Sequence, residues 1–321
     1  MHPLRASYAS LSPSFCSAMC PQPEGMERGG AAIFDAGIGP RMELLHGWLA
    51  RRLGDEQITW LDEQARKITE EPDTRGLTTA IGLASRRVGK APLALQSDEI
   101  ADAARVRPRL DARDWTLDQT ARIYLMLVSG AADGEGFPSR MDRLFRSGEI
   151  GEQVALLRGL PLYPRAAEIV PTAGEGIRSA MQPIFEAVAH NSPYPAEQFS
   201  EAMWNQMVVK TLFIGSTLAP IQGLDERRNA DLARMLVDYA HERWAAGRTV
   251  SPELWRCVGP FAESYLDELI KVFESPVEAE RRAGALALSE CPTPEALVIL
   301  ESAPQLWREI RKGTLSWNTL A

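Results

Sequence analysis

The sequence is short of several features that mark common protein classes. Among 321 residues only four are cysteine. Cys16 and Cys20 lie close together near the amino terminus, while Cys257 and Cys291 stand far apart in apolar helical contexts, so neither a disulfide framework nor a metal-ligand spacing emerges. Reduced thiols are the expectation. Long apolar runs are missing too. The longest, IYLMLV from Ile123 to Val128, falls far short of the roughly 18 to 20 residues that a membrane span needs. No continuous apolar block follows Arg5, which excludes a signal-peptide pattern. Positive charge is in deficit, with 35 Lys and Arg against 43 Asp and Glu, a formal net charge of −8. That balance argues against a nucleic-acid binder, whose face must neutralise phosphates. The pairs Arg51/Arg52, Arg86/Arg87 and Arg281/Arg282 read as solvated helix faces. Together these absences predict a soluble, cytoplasmic protein with neither membrane insertion nor nucleic acid as a partner.

Catalytic signatures are equally scarce. No G-x-S-x-G elbow occurs, and the Gly-rich AADGEGF at residues 131–137 matches neither the P-loop nor the dinucleotide fingerprint, so it reads as a plain loop. No cofactor is expected. Alternating β patterns are nearly absent as well, because Val and Ile sit in helical windows.

What is present is helical periodicity in a chain of ordinary globular composition, 45% hydrophobic and 24% charged. Residues 1–41, rich in Ser, Pro, Gly and Ala, read as a disordered leader or as a misassigned start, with translation beginning at Met26 or Met42. Residues 42–321 read as one all-helical domain. Helices are predicted at 42–53, 55–68, 75–87, 98–105, 115–128 with Asp114 as cap, 141–145, 151–160, 177–189, 197–214, 230–246, 261–273, 277–289 and 294–300. The fold class is all-α. An irregular α–α superhelix of HEAT-like hairpins comes first, prompted by the helix, Pro-containing turn and helix at residues 277–300, and a compact helical bundle is the runner-up.

The most informative stretch is residues 203–261. In the predicted helix at 230–246, Asn229 can cap the start, Asp231 suits the first turn and Gly247 suits the end. Apolar residues cover most of its circumference and leave one polar stripe of Asp231, Arg234, Asp238, His241 and Glu242. On the preceding helix Gln206 and Lys210 share a face, and Lys210 is expected opposite Asp238 or Glu242. A groove between the two helices would gather Asn205, Gln206, Lys210, Arg234, Asp238, His241 and Glu242 as ligand-binding candidates. Asp238, His241 and Glu242 also have the i, i+3, i+4 spacing of metal-binding bundle helices, but no second Glu-x-x-His helix accompanies them, so no metal is assigned. Acid–base work by these three in a metal-assisted enzyme is the alternative to an internal salt-bridge network beginning with Arg234 and Asp238.

The words NSPYPAEQF, WNQMVVKTLF, GLDERRNADLARMLVDYAHERWAAGR and VSPELWRCVGPF resemble those of the EboA family of metabolite traffic proteins. The similarity runs from about Glu43 to the carboxyl terminus and is dense from about Phe185 to Phe261. The resemblance implies a place in a bacterial gene cluster that moves secondary-metabolite precursors, such as those of a cyanobacterial sunscreen pigment, from cytoplasm to periplasm, and the expectation is a non-catalytic scaffold or carrier in that traffic. Its implied partners are a small metabolite precursor and other proteins of the same cluster. The family offers no catalytic residues to carry over.

Overall fold

Helical periodicity translates directly into helices. The computed structural model describes residues 37–72 and 75–320, so Cys16, Cys20 and the expected leader up to residue 36 lie outside the described residues. In chain order the helices are α1 (Ile38–Ala50), α2 (Asp55–Glu70), α3 (Arg75–Val88), α4 (Ser97–Val106), α5 (Leu117–Ala132), α6 (Phe137–Ser147), α7 (Ile150–Arg158), α8 (Val170–Arg178), α9 (Gln182–Ala189), α10 (Tyr194–Gln198), α11 (Glu201–Phe213), α12 (Ala230–Ala245), α13 (Trp255–Val258), α14 (Leu266–Phe273), α15 (Glu278–Glu290), α16 (Pro294–Glu301) and α17 (Pro304–Arg311). The protein is all-α. Among the described residues there is no strand, only one isolated bridge between Pro92 and Thr116, and no helix is long and apolar enough to cross a membrane.

Helix α1 begins at Ile38, ahead of the expected boundary at Met42, and Arg41 is buried with its Nη1 donating to the Leu162 carbonyl at 2.9 Å. The apolar run at residues 123–128 forms the middle of α5, which is buried almost throughout and packs against α1, α2, α3 and α7. A helix enclosed on so many sides is a feature of bundles rather than of stacked repeats, where each pair touches chiefly its neighbours. The carboxyl-terminal helix pair is present as α15 and α16, which pack on each other, and α17 closes over both.

Three boundaries depart from the periodicity reading for identifiable reasons. The helix expected at 177–189 is split into α8 and α9, because Pro183 in the first turn of α9 supplies no N–H to continue the earlier helix. The one expected at 197–214 is split into α10 and α11, where the Ser200 side chain accepts from the Met203 N–H and restarts the helix. Helix α5 is capped at Thr116, not Asp114: the Gln119 side chain turns back to accept from the Thr116 N–H. Asp114 is thereby left for another task.

Arg86 and Arg87 are exposed as expected, but the pair Arg51/Arg52 needs correction. Arg52 is mostly buried and, with Arg51, clamps the fully buried Glu99 of α4. Three charge-assisted contacts, two from the largely shielded Arg52 and one from the exposed Arg51, hold the end of α1 against α4, a role that periodicity alone does not reveal.

Candidate functional site

The α12 region forms largely as its sequence suggests. Asn229 caps the helix, its Oδ1 accepting from the Leu232 N–H at 2.8 Å, and Gly247 takes φ +64° past the end. The polar side chains, however, do not gather in a groove. Arg234, Asp238, His241 and Glu242 are exposed. Arg234 pairs with Asp238 at 3.4 Å along the helix, and His241 meets Glu268 of α14 at 3.0 Å. On α11, Gln206 is exposed and Asn205 is buried. Asn205 and Asn229 exchange amide hydrogen bonds of 3.1 and 2.9 Å. Lys210 turns away from α12 and donates to the carbonyls of Ile177 and Ser179, at 2.6 and 2.8 Å, at the end of α8. The expected pairing with Asp238 or Glu242 is therefore absent: free carbonyls at a helix terminus attract a cation more closely than an exposed stripe does. Among the described residues no group of three or more His, Cys, Asp or Glu side chains is placed to hold a metal ion. The Cys257 thiol is fully buried and pushed up to about 12 by that burial, which leaves no thiolate for nucleophilic work.

Two cavities carry more information. One is an open cleft of about 560 Å³ beside α12, walled by Trp244, Val250, Trp255, Ile270 and Pro276. Trp244 stacks on Trp255 with ring centroids 5.7 Å apart, and the Lys271 ammonium sits 3.7 Å from the Trp244 centroid. Much of this cleft is built from α14 and the segment that follows it.

The other, of about 250 Å³, is more enclosed and polar. Three segments that are distant in sequence make it: the loop Asp111–Trp115 ahead of α5, the end of α7 at Arg158, and α9 with the turn His190–Ser192. The loop is pinned by the bridge to Pro92, through the Leu93 N–H to the Trp115 carbonyl and the Leu117 N–H to the Ala91 carbonyl. Arg113 grips Asp111 with both its backbone and its guanidinium, and that grip holds the Asp111 carboxyl below its usual range despite burial. Arg158 Nη1 donates to the Asp114 carbonyl at 2.9 Å and to Gln119 Oε1 at 2.7 Å. The same Gln119 that caps α5 thus positions the arginine.

The turn is stiff. Asn191 adopts φ +53°, a region few non-glycine residues enter. It is held there by its N–H to the Pro220 carbonyl at 2.9 Å and by its side chain to Asp114 Oδ2 at 3.3 Å. His190 Nε2 lies 3.1 Å from the Thr217 carbonyl, so this nitrogen carries the proton and Nδ1 is left as an acceptor. Burial pushes the His190 imidazole below its ordinary range, against the pull of Glu186. Burial also opposes charge on Glu186, but hydrogen bonds from Ser216 and Gln182 keep its carboxyl below the usual value. Asp114 and His190 are conspicuous in sequence only as a cap and a helix end. The stiffness of NSPYP is legible, whereas the partners it faces are not.

The chamber is polar and partly cross-linked by its own hydrogen bonds. The chain belongs to the EboA family, described as metabolite traffic protein EboA, whose model matches residues 41–259. No curated protein and no solved structure matches the chain.

Proposed function

We propose that this protein is a non-catalytic binding component of metabolite traffic and that it holds its metabolite in the chamber between Asp114, Arg158 and His190. The observation that carries the reading is location combined with enclosure, since the other clefts in the matched segment are more open. Every residue lining that chamber falls between 111 and 192, inside the segment matched by the family, whereas the Trp244 cleft draws most of its wall from beyond residue 259. A function shared by the family belongs with the part the family shares. Rigidity supports the same reading, because cross-links from Asn191 to Asp114 and from Arg158 to the Asp114 carbonyl order the walls before any ligand arrives. In this reading the protein works in the cytoplasm, passing a secondary-metabolite precursor to other proteins of its gene cluster for export to the periplasm.

Native mass spectrometry after exposure of the purified chain to a small-molecule extract of its host tests the proposal. A noncovalent adduct should form, release an unaltered molecule, and vanish in Arg158→Gln. Release of a chemically altered molecule, or an adduct indifferent to the Arg158 change, would overturn it.

A further inference from the structure

We infer that the ligand of this chamber is a free amino acid with an apolar side chain, or a metabolite that keeps an amino acid's paired ammonium and carboxylate. The inference rests on the reading above that the chamber binds a small molecule, and it comes from unmatched hydrogen-bonding capacity. Arg158 spends only Nη1 on the protein, and both of its partners are neutral oxygens. Its Nε and Nη2 have no hydrogen-bond partner among the described residues. A guanidinium half withdrawn from water, with donors to spare, favours a carboxylate in bidentate geometry.

The acids are unmatched in the opposite sense. Asp111 is saturated by Arg113 and is set aside. Asp114 engages Oδ2 alone, with Asn191, and Glu186 engages Oε1 alone, with Gln182 and Ser216. Each therefore keeps a carboxylate oxygen without a protein donor among the described residues, and His190 Nδ1 adds a neutral acceptor. Although these groups line one cavity, no ion pair joins Arg158 to either acid. Asp114 feels the field of Arg158 without touching it, and charges of both signs held apart across a shared space complement a molecule that itself carries both.

Other small ligands fit less well. A simple amine leaves Arg158 unmet, a simple carboxylate sets like charges against Asp114 and Glu186, and a polyol leaves all three uncompensated. Trp115, Val154, Pro183 and Ala187 supply an apolar wall for a side chain. The volume of about 250 Å³ lies below the ~300–1,000 Å³ of sites for drug-sized ligands, which confines the occupant to a small metabolite.

Calorimetric titration of the full chain decides the matter, using L-leucine and L-phenylalanine, each beside its decarboxylated amine and its deaminated acid. At least one amino acid should bind about tenfold or more tightly than either of its relatives, a difference of about 1.4 kcal/mol. Arg158→Gln should reduce the amino acid to the level of its amine, and Asp114→Asn should reduce it to the level of its acid, with far-ultraviolet circular dichroism confirming that each variant folds. Should one variant fail to fold, the other and the ligand series still decide. Equal binding of amine and amino acid, discrimination that survives both substitutions, or no binding by any of the six compounds would overturn the assignment. A host-extract adduct that depends on Arg158 would in that case still support the chamber as a binding site, so the two readings fail separately.

Discussion

Glu99 illustrates how much a single residue can hold. Its side chain is almost fully buried, and hydrogen bonds from Arg52, helped by the Gln96 N–H and Arg51, hold its carboxyl at about 2 against the opposing effect of burial. Because the folded value lies below the unfolded one, the stabilisation is present above pH ~4.5 and is lost as pH falls toward 2. Glu99→Gln should cost about 3 kcal/mol in urea unfolding at pH 7 and should flatten that acid limb. His190 works with the same sign from a different cause. Burial depresses its folded value, so the unfolded chain takes up the proton first and stability declines as pH drops below ~6.5. A His190→Gln variant should show a shallower decline between pH 7 and 5 in thermal melts, and an unchanged slope would refute this account. Neither burial is legible in the sequence, where Glu99 looks like one acid among several at a helix start and His190 like a residue before a turn. Desolvation is a property of what other segments bring to the residue.

At the level of elements, the junction of α11 and α12 was partly legible. Asn229 as a cap follows from local chemistry, since an amide oxygen ahead of an apolar-periodic run satisfies a free N–H. Its second partner, Asn205, lies 24 residues away and is brought to it by the loop between α11 and α12, which returns the chain so that the starts of the two helices meet. Asn229→Ala should therefore cost about 2 kcal/mol, more than a cap alone, because it also strands a buried amide. A double-mutant cycle with Asn205→Ala should give a coupling of about 1 kcal/mol, and additivity would dismiss the pairing. Helices α14 and α15 meet through Gly284, where an added Cβ would come within 2.6 Å of the Phe273 nitrogen. Backbone cannot yield as a side chain can, so Gly284→Ala should destabilise by about 2 kcal/mol in chemical denaturation. The small-residue run at 283–287 hints at close packing, but the sequence leaves its partner open.

Taken whole, the described residues from 37 to 320 belong to one compact unit that runs past the end of the family match at 259. The reason lies in what the last helices cover. The Gly259 backbone packs directly on Ala287, and Trp255, Cys257 and Val258 are fully buried. Arg228 reaches the Arg256 carbonyl at 2.9 Å and also Glu290, which in turn accepts from the Trp317 indole at 2.6 Å. A chain ending at residue 259 would expose that surface. It should lose the single sharp thermal transition of the full chain by circular dichroism, and retention of a cooperative melt would show the matched segment to be self-sufficient. The all-α class was legible at this scale, because a period of 3.6 is a local property that survives any packing, whereas the number of helices was not, since breaks such as those at Pro183 and Ser200 interrupt a period without erasing it. The gathering of α1, α2, α3 and α7 around α5 was not.

Sequence by itself determined where most helices run, both ends of α12, and the stiffness of the turn at 191–195, all of which depend on forces between residues a few positions apart. Only the tertiary structure decided which polar groups share a chamber. Lys210 closes off α8 rather than meeting Asp238, and Asp114, Arg158 and His190 converge from segments up to 76 residues apart. That choice depends on how helices pack in three dimensions, and helical periodicity sets only the face each helix offers.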